Sequence, residues 1–387
     1  MTRIAVRAAR IFDGERVLDD RVVLIEDGLI SGIERDAPAD WPIRDVPGGT
    51  ILPGLIDTHV HLSADGGPGA LDRLRGATEE TLSGTIERSL RIHLGAGVTT
   101  VRDLGDLNDA VLNWRNRGVG GLPAVIAAGA PLTSVGGHCW WLGGEAAGPE
   151  QICAAVRHRA ERGADVIKIM GSGGVLTPGS DLMNPQFTPA ELTAAVSEAH
   201  AVGLPITAHA YALPAVRQAL AAGVDGIEHC TCLTPGGVAI DDDLLGALAA
   251  AGIAVCATIG SDPSAVVPPE IQAMAAQAGI SDAVLRYSAH RLYDGGVRLV
   301  AGSDGGISPA KPHGLLPATL AEYVRSGVPE VAALTAATST AADVLGIRTG
   351  RIRPGADADL LLVDGDPTED ITTLASPVAV YLAGREA

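Results

Sequence analysis

The chain alternates short apolar runs with longer stretches in which apolar residues recur every three or four positions. The apolar runs fall at 51–56, 98–103, 124–128, 164–170, 205–209, 226–229, 253–258 and 297–304. Between and after them, helical periodicity covers 79–95, 106–117, 149–163, 188–203, 213–222, 241–251, 279–295 and 314–327. Near-continuous apolar strands alternating with amphipathic helices are the pattern of a parallel sheet with crossover helices. Repeated around a full turn, that α/β pattern predicts a (β/α)8 TIM barrel over residues 54–346. The flanks differ: 4–8, 21–28, 358–364 and 379–382 look like short strands, with Asp27-Gly28 as a hairpin turn. The expectation is a small composite β-sandwich domain built from 1–53 and 347–387.

Composition agrees with this reading. Hydrophobic residues make up 47% of the 387 positions and aromatic residues only 3%, so the core must be Ala, Val, Leu and Ile, as in layered parallel strands. The 28 basic residues against 46 acidic ones leave a net charge of -18, which repels nucleic acid and anionic membrane surfaces. Partners are therefore expected to be a small-molecule substrate and further copies of the chain. Without an apolar run of membrane-spanning length or a signal-peptide core near Met1, a cytoplasmic location is expected. The cysteines, Cys139, Cys153, Cys230, Cys232 and Cys256, lack Cys-x-x-Cys spacing and read as reduced, mostly buried thiols.

Candidate chemistry sits at the ends of the apolar runs. Thr58-His59-Val60-His61 follows the first one, and residues two apart on a strand face the same way, so His59 and His61 can share one metal ion. His209, His229 and Asp304 close three later runs, and barrels of this kind assemble their active sites at the strand C-termini. Only two lysines occur against 26 arginines, so Lys168 inside an apolar strand needs a reason. Burial lowers a lysine pKa, and the neutral amine can add carbon dioxide to become a carbamate, a bridging carboxylate. The bland alternative is a lysine that snorkels to the rim or pairs with Asp103 or Asp304.

Taken together, His59-x-His61, Lys168, His209, His229 and Asp304 resemble the signature of the amidohydrolase superfamily of metal-dependent hydrolases. The stretch 355–367 is similar to that superfamily's return into its small β-domain. The resemblance implies two divalent metal ions, with zinc the expected metal. His59, His61 and Asp304 would hold the buried ion, His209 and His229 the exposed one, and carboxylated Lys168 would bridge them. It also implies hydrolysis by a metal-activated hydroxide, with Asp304 as the catalytic general acid/base.

Residues 136–140, 168–174 and 209–211 resemble the branch of Xaa-Pro dipeptidases, zinc carboxypeptidases, ochratoxin-type amidases and imidazolonepropionase-like proteins. That branch implies substrate contacts from His138 and Tyr211, and an amide substrate of the dipeptide or N-acyl amino acid type. Trp140, beside Trp141, is a candidate pocket wall or a loop anchor. Arg102 is a candidate for binding a substrate carboxylate, with Asp103 as its competing partner. His313 follows the last strand and is open to either a substrate-binding or a packing role. His93, His158, His200 and His290 fall in helical stretches and read as packing or surface residues. Cyclic amide hydrolysis is the nearest rival reaction; lactone or phosphotriester hydrolysis would use the same ligands, and a deaminase would not need Lys168.

Overall fold

The computed structural model describes residues 2–177 and 179–387. Eight parallel strands follow the predicted runs, except that the first run divides at Gly54: residues 51–53 end a strand of the terminal sheet and Leu55–Val60 enters the parallel set. In chain order they are Leu55–Val60, Val98–Asp103, Ala124–Ala127, Ile167–Met170, Ile206–Ala212, Gly226–Thr234, Ala254–Cys256 and Arg298–Val300. The first three pair in sequence, and so do the last five. Isolated parallel bridges join the two groups at both sides, Leu132 to Ile169 and Val60 to Gly305. Every residue of the first and second strands is buried, which is why both read as apolar runs without alternation.

The predicted helices are present with shifted ends. Glu79–Gly95 starts behind Thr78, whose side chain caps Thr81, and Pro189–Ala201 begins with a full capping box between Thr188 and Glu191. Asp241 and Ser281 cap Asp242–Ala251 and Asp282–Asp294 in the same way. The 106–117 stretch narrows to the helix Ala110–Arg115. Short helices at Ala70–Arg75, Pro269–Gln277, Glu330–Ala336 and Ser339–Leu345 were not anticipated.

Both termini contribute to one hydrogen-bonded sheet. Its order runs Arg385–Glu386, Pro377–Leu382, Leu360–Val363, Ile43–Pro53, Arg3–Phe12, Val22–Glu26 and Leu29–Glu34, with Val17–Asp19 paired on Arg3–Phe12. The Asp27-Gly28 turn has φ of 49° and 86°, the left-handed pair that a type I′ hairpin turn requires. This sheet has its own apolar core of Val6, Ile11, Ile25, Ile51, Leu360 and neighbours, apart from the large core beneath the helices.

A single residue, Gly54, separates the terminal sheet from the first parallel strand. A Cβ there would come within 2.2 Å of Thr99, so the strand can enter only through a glycine. Among the described residues no helix is long and apolar enough to cross a membrane.

Candidate active site

The ends of the parallel strands bring His59, His61, Lys168, His209, His229 and Asp304 to the wall of one cavity of about 260 Å³. Each imidazole is held from behind. His61 donates from Nδ1 to the Gly105 carbonyl at 2.9 Å, and His209 donates from Nε2 to the Gly173 carbonyl at 3.2 Å. His59 Nδ1 donates to Glu228 Oε2 at 2.8 Å, and His229 Nδ1 pairs with Thr258 Oγ1 at 2.7 Å. The carbonyl and carboxylate acceptors fix the protonated nitrogen of His59, His61 and His209 that faces away from the cavity, while the Thr258 hydroxyl holds the His229 ring, and the other ring nitrogens turn into the cavity.

Those inward nitrogens converge. His59 Nε2 and His61 Nε2 lie 3.5 and 3.3 Å from Asp304 Oδ1, and His209 Nδ1 lies 3.0 Å from His229 Nε2. A divalent cation set among these nitrogens and the carboxylate would replace the hydrogen bonds that otherwise join them. His59, His61 and Asp304 have ligand atoms within 4.8 Å of one another, a spacing that can hold a metal ion. Burial drives the His209 and His229 pKa values well below the usual histidine value, so both rings are neutral and ready to ligate. Burial would raise Asp304, but its contacts with the surrounding imidazoles, the hydrogen bond from His61 among them, outweigh it and keep the carboxylate well below its usual pKa.

Lys168 is only 2% exposed and its Nζ has no hydrogen-bond partner. Burial lowers its pKa, opposed by the charges of Glu228 and Asp304. A buried amine without an acceptor is costly as an ammonium, and the donor set fits a divalent ion with an added anionic ligand at this position. His229 and Asp304 both adopt left-handed backbone, at φ of 69° and 59°, conformations that aim the two side chains inward.

Two further predicted residues line the cavity. The His138 ring lies 4.7 Å from His209, with Nδ1 on Thr177 Oγ1 at 2.9 Å. Its pKa is lowered to about 4 by burial and by Lys168, so it is neutral at physiological pH. Tyr211 stacks on His229 at 4.3 Å and 10°.

Three predicted contacts are elsewhere. Arg102 is buried away from the cavity: Nη2 donates to Glu228 Oε1 at 3.0 Å and Nε to the Thr58 carbonyl at 2.7 Å. Its partner is thus Glu228 and not Asp103, whose oxygens accept from the backbone of Leu62 and Gly105. Trp140 turns outward at 46% exposure, and Trp141 takes the cavity wall instead, beneath the Arg75 guanidinium. His313 is buried behind the wall, donating from Nε2 to Ala64 O at 2.7 Å and facing His93 Nε2 at 3.1 Å.

Glu228 was not singled out from the sequence. It ties His59, Arg102 and Thr207 Oγ1 together, and despite burial those charges hold it well below the usual carboxylate range. Glu228→Gln leaves the Arg102 charge unpaired in the interior. The expected outcome is a loss of about 3–5 kcal/mol in stability, seen as a lower thermal midpoint.

Lys311, the chain's other lysine, lines the cavity as well. The rest of the wall is largely apolar, with Leu71, Leu74, Trp141, Leu176, Ile271 and Ile307 in it.

Comparison with known proteins accords with this geometry. The ochratoxinase of Aspergillus niger is 28% identical, over 95% of this chain and 82% of that protein. A Xaa-Pro dipeptidase structure with methionine bound in its active site superposes with a TM-score of 0.88 at 28% identity, covering 100% of both chains. A prolidase complexed with N-methylphosphonate-L-proline superposes at 0.86 and 27% identity, covering 100% of this chain and 99% of that one. The amidohydrolase family model matches residues 50–387, and the chain belongs to that family of hydrolases.

Proposed function

We propose that this enzyme hydrolyses an amide whose leaving group is an amino acid with a free carboxylate, at a centre of two divalent metal ions. The observation that carries the reading is the convergence of four imidazole nitrogens on Asp304 and on each other, beside a buried Lys168 amine without a hydrogen-bond partner. His59, His61 and Asp304 would hold one ion, zinc by the nitrogen-rich donor set, and His209 and His229 the other. Lys168, as a carbamate, would bridge them and supply the charge that neutral histidines lack.

When bound, such ions supply a water acidic enough to attack near neutral pH and a Lewis acid for the scissile carbonyl. Asp304 takes up the proton released in the attack and returns it to the leaving nitrogen. His138, neutral at working pH, and Tyr211 border the cavity and provide hydrogen-bonding groups for substrate oxygens. The apolar walls exclude water and accommodate a hydrophobic acyl part. The supporting fold is read as a closed barrel over 54–346, joined through the Leu132–Ile169 and Val60–Gly305 bridges, with a sandwich domain from 1–53 and 347–387.

The relatives favour this substrate class, since a prolidase and a Xaa-Pro dipeptidase are among them. A mass-spectrometric screen of zinc- and bicarbonate-reconstituted enzyme tests it with Xaa-Pro dipeptides, N-acyl amino acids, lactams and lactones, and His59→Ala as blank. Release of free amino acids only by the wild type is expected. Turnover confined to lactams or lactones would move the assignment to cyclic substrates.

A further inference from the structure

We propose that Lys311 is the specificity residue for the carboxylate of the leaving amino acid. This rests on the amide-hydrolase reading and names the substrate group that the site selects. The cavity wall contains no arginine among the described residues, and its only ammonium groups are Lys168 and Lys311. Lys168 belongs to the inner cluster, so Lys311 is the remaining cation in a wall that is otherwise largely apolar.

Its position is well defined. Nζ donates to the Thr258 carbonyl at 2.6 Å and to the Ser303 carbonyl at 3.2 Å. An ammonium has three donors, so one N–H is left for a further acceptor. Among the described residues no carboxylate pairs with Nζ; burial lowers its pKa, and the charges of Asp304 and Asp57 act against that. A cationic donor with one bond unused, in an apolar wall, is a natural partner for an anionic substrate group.

The location also suits the chemistry. Ser303 directly precedes Asp304, and Thr258 holds His229 through its hydroxyl. Lys311 therefore sits beside the group that would protonate the leaving nitrogen. In an α-amino acid the nitrogen and the carboxylate are separated by one carbon, so a nitrogen served by Asp304 brings its carboxylate to the neighbouring position. Arg102, the sequence's own candidate for this task, is occupied by Glu228.

A purely structural role is the competing account, because the same ammonium clamps two strand-end carbonyls. The two roles separate by substrate. Hydrolysis of N-octanoyl-L-leucine and of N-octanoyl-L-leucinamide is compared in wild type, Lys311→Met and Lys311→Arg. Calorimetric titration of the metal-loaded proteins with L-leucine and L-leucinamide gives a second readout.

The expected result is a wild type that prefers the acid, with Lys311→Met losing roughly 10- to 100-fold in kcat/KM on the acid and about twofold or less on the carboxamide. Lys311→Arg should recover part of the loss, and the binding of leucine, not leucinamide, should weaken in Lys311→Met. Equal losses on both substrates, or a wild type indifferent to the carboxylate, would overturn the assignment while leaving amide hydrolysis intact. A wild type that cleaves neither compound but binds leucine through Lys311 would instead contradict the amide reading.

Discussion

Asp304→Asn is expected to lower kcat/KM for amide hydrolysis by at least ~10³-fold with little change in thermal midpoint. Asp304 Oδ1 lies 3.3–3.5 Å from two imidazole nitrogens, and in the proposed mechanism the carboxylate both completes the ligand set and shuttles the proton. Asparagine keeps the size of the side chain but not its charge or its basicity. It also tolerates the left-handed backbone at φ 59°, which alanine would not do equally well. A folded but inactive variant is thus the anticipated result, judged by steady-state kinetics alongside a thermal melt. Activity within tenfold of wild type would remove Asp304 from the chemistry.

Lys168 should behave differently from a buried structural lysine. Lys168→Met fills the same volume without an amine, and the expected effect is a loss of activity of ~10³-fold together with weaker metal retention. That loss should exceed the roughly 10–100-fold typical of residues that merely orient a ligand. Lys168→Ala leaves room beside the ligands, and acetate or propionate added at millimolar concentration should restore part of its activity, with no rescue of Lys168→Met. The pH sense follows from the lowered pKa: burial makes the neutral amine available at lower pH than for an exposed lysine. Carbon dioxide adds only to that neutral form, with release of one proton, so wild-type activation by bicarbonate should rise with pH. A Lys168→Met enzyme as active as wild type would contradict the bridging role.

The positions of these residues were legible because a strand's two-residue period and its C-terminal end are local properties. His59 and His61 share a face, and each later candidate ligand follows its own apolar run. What was not legible depended on distant partners. Arg102 is taken up by Glu228, 126 positions away, and no local pattern reports that pairing. Trp140 and Trp141 are indistinguishable in sequence, and only the three-residue 3₁₀ turn Trp140–Leu142 decides which indole faces the cavity. From the loop after the last strand the sequence singled out His313 and not Lys311. The loop's path places the lysine in the wall and leaves the histidine bonded to Ala64 behind it.

Part of the terminal sheet was likewise visible as elements, but Leu29–Glu34 and Ile43–Pro53 were not read as its strands, and neither was the strand order. Residues 43–53 run parallel to Arg3–Phe12 and antiparallel to Leu360–Val363. Such pairing between chain ends depends on tertiary packing and is invisible to periodicity.

The claim on which the account rests is a paired metal centre bridged by Lys168. Metal analysis by plasma mass spectrometry after reconstitution with zinc and bicarbonate and removal of free ion tests it most directly. The prediction is two equivalents of zinc per wild-type chain, falling to one or none in Lys168→Met, with activity following the second equivalent. A fully active wild type carrying one ion, and a Lys168→Met protein carrying the same, would contradict it.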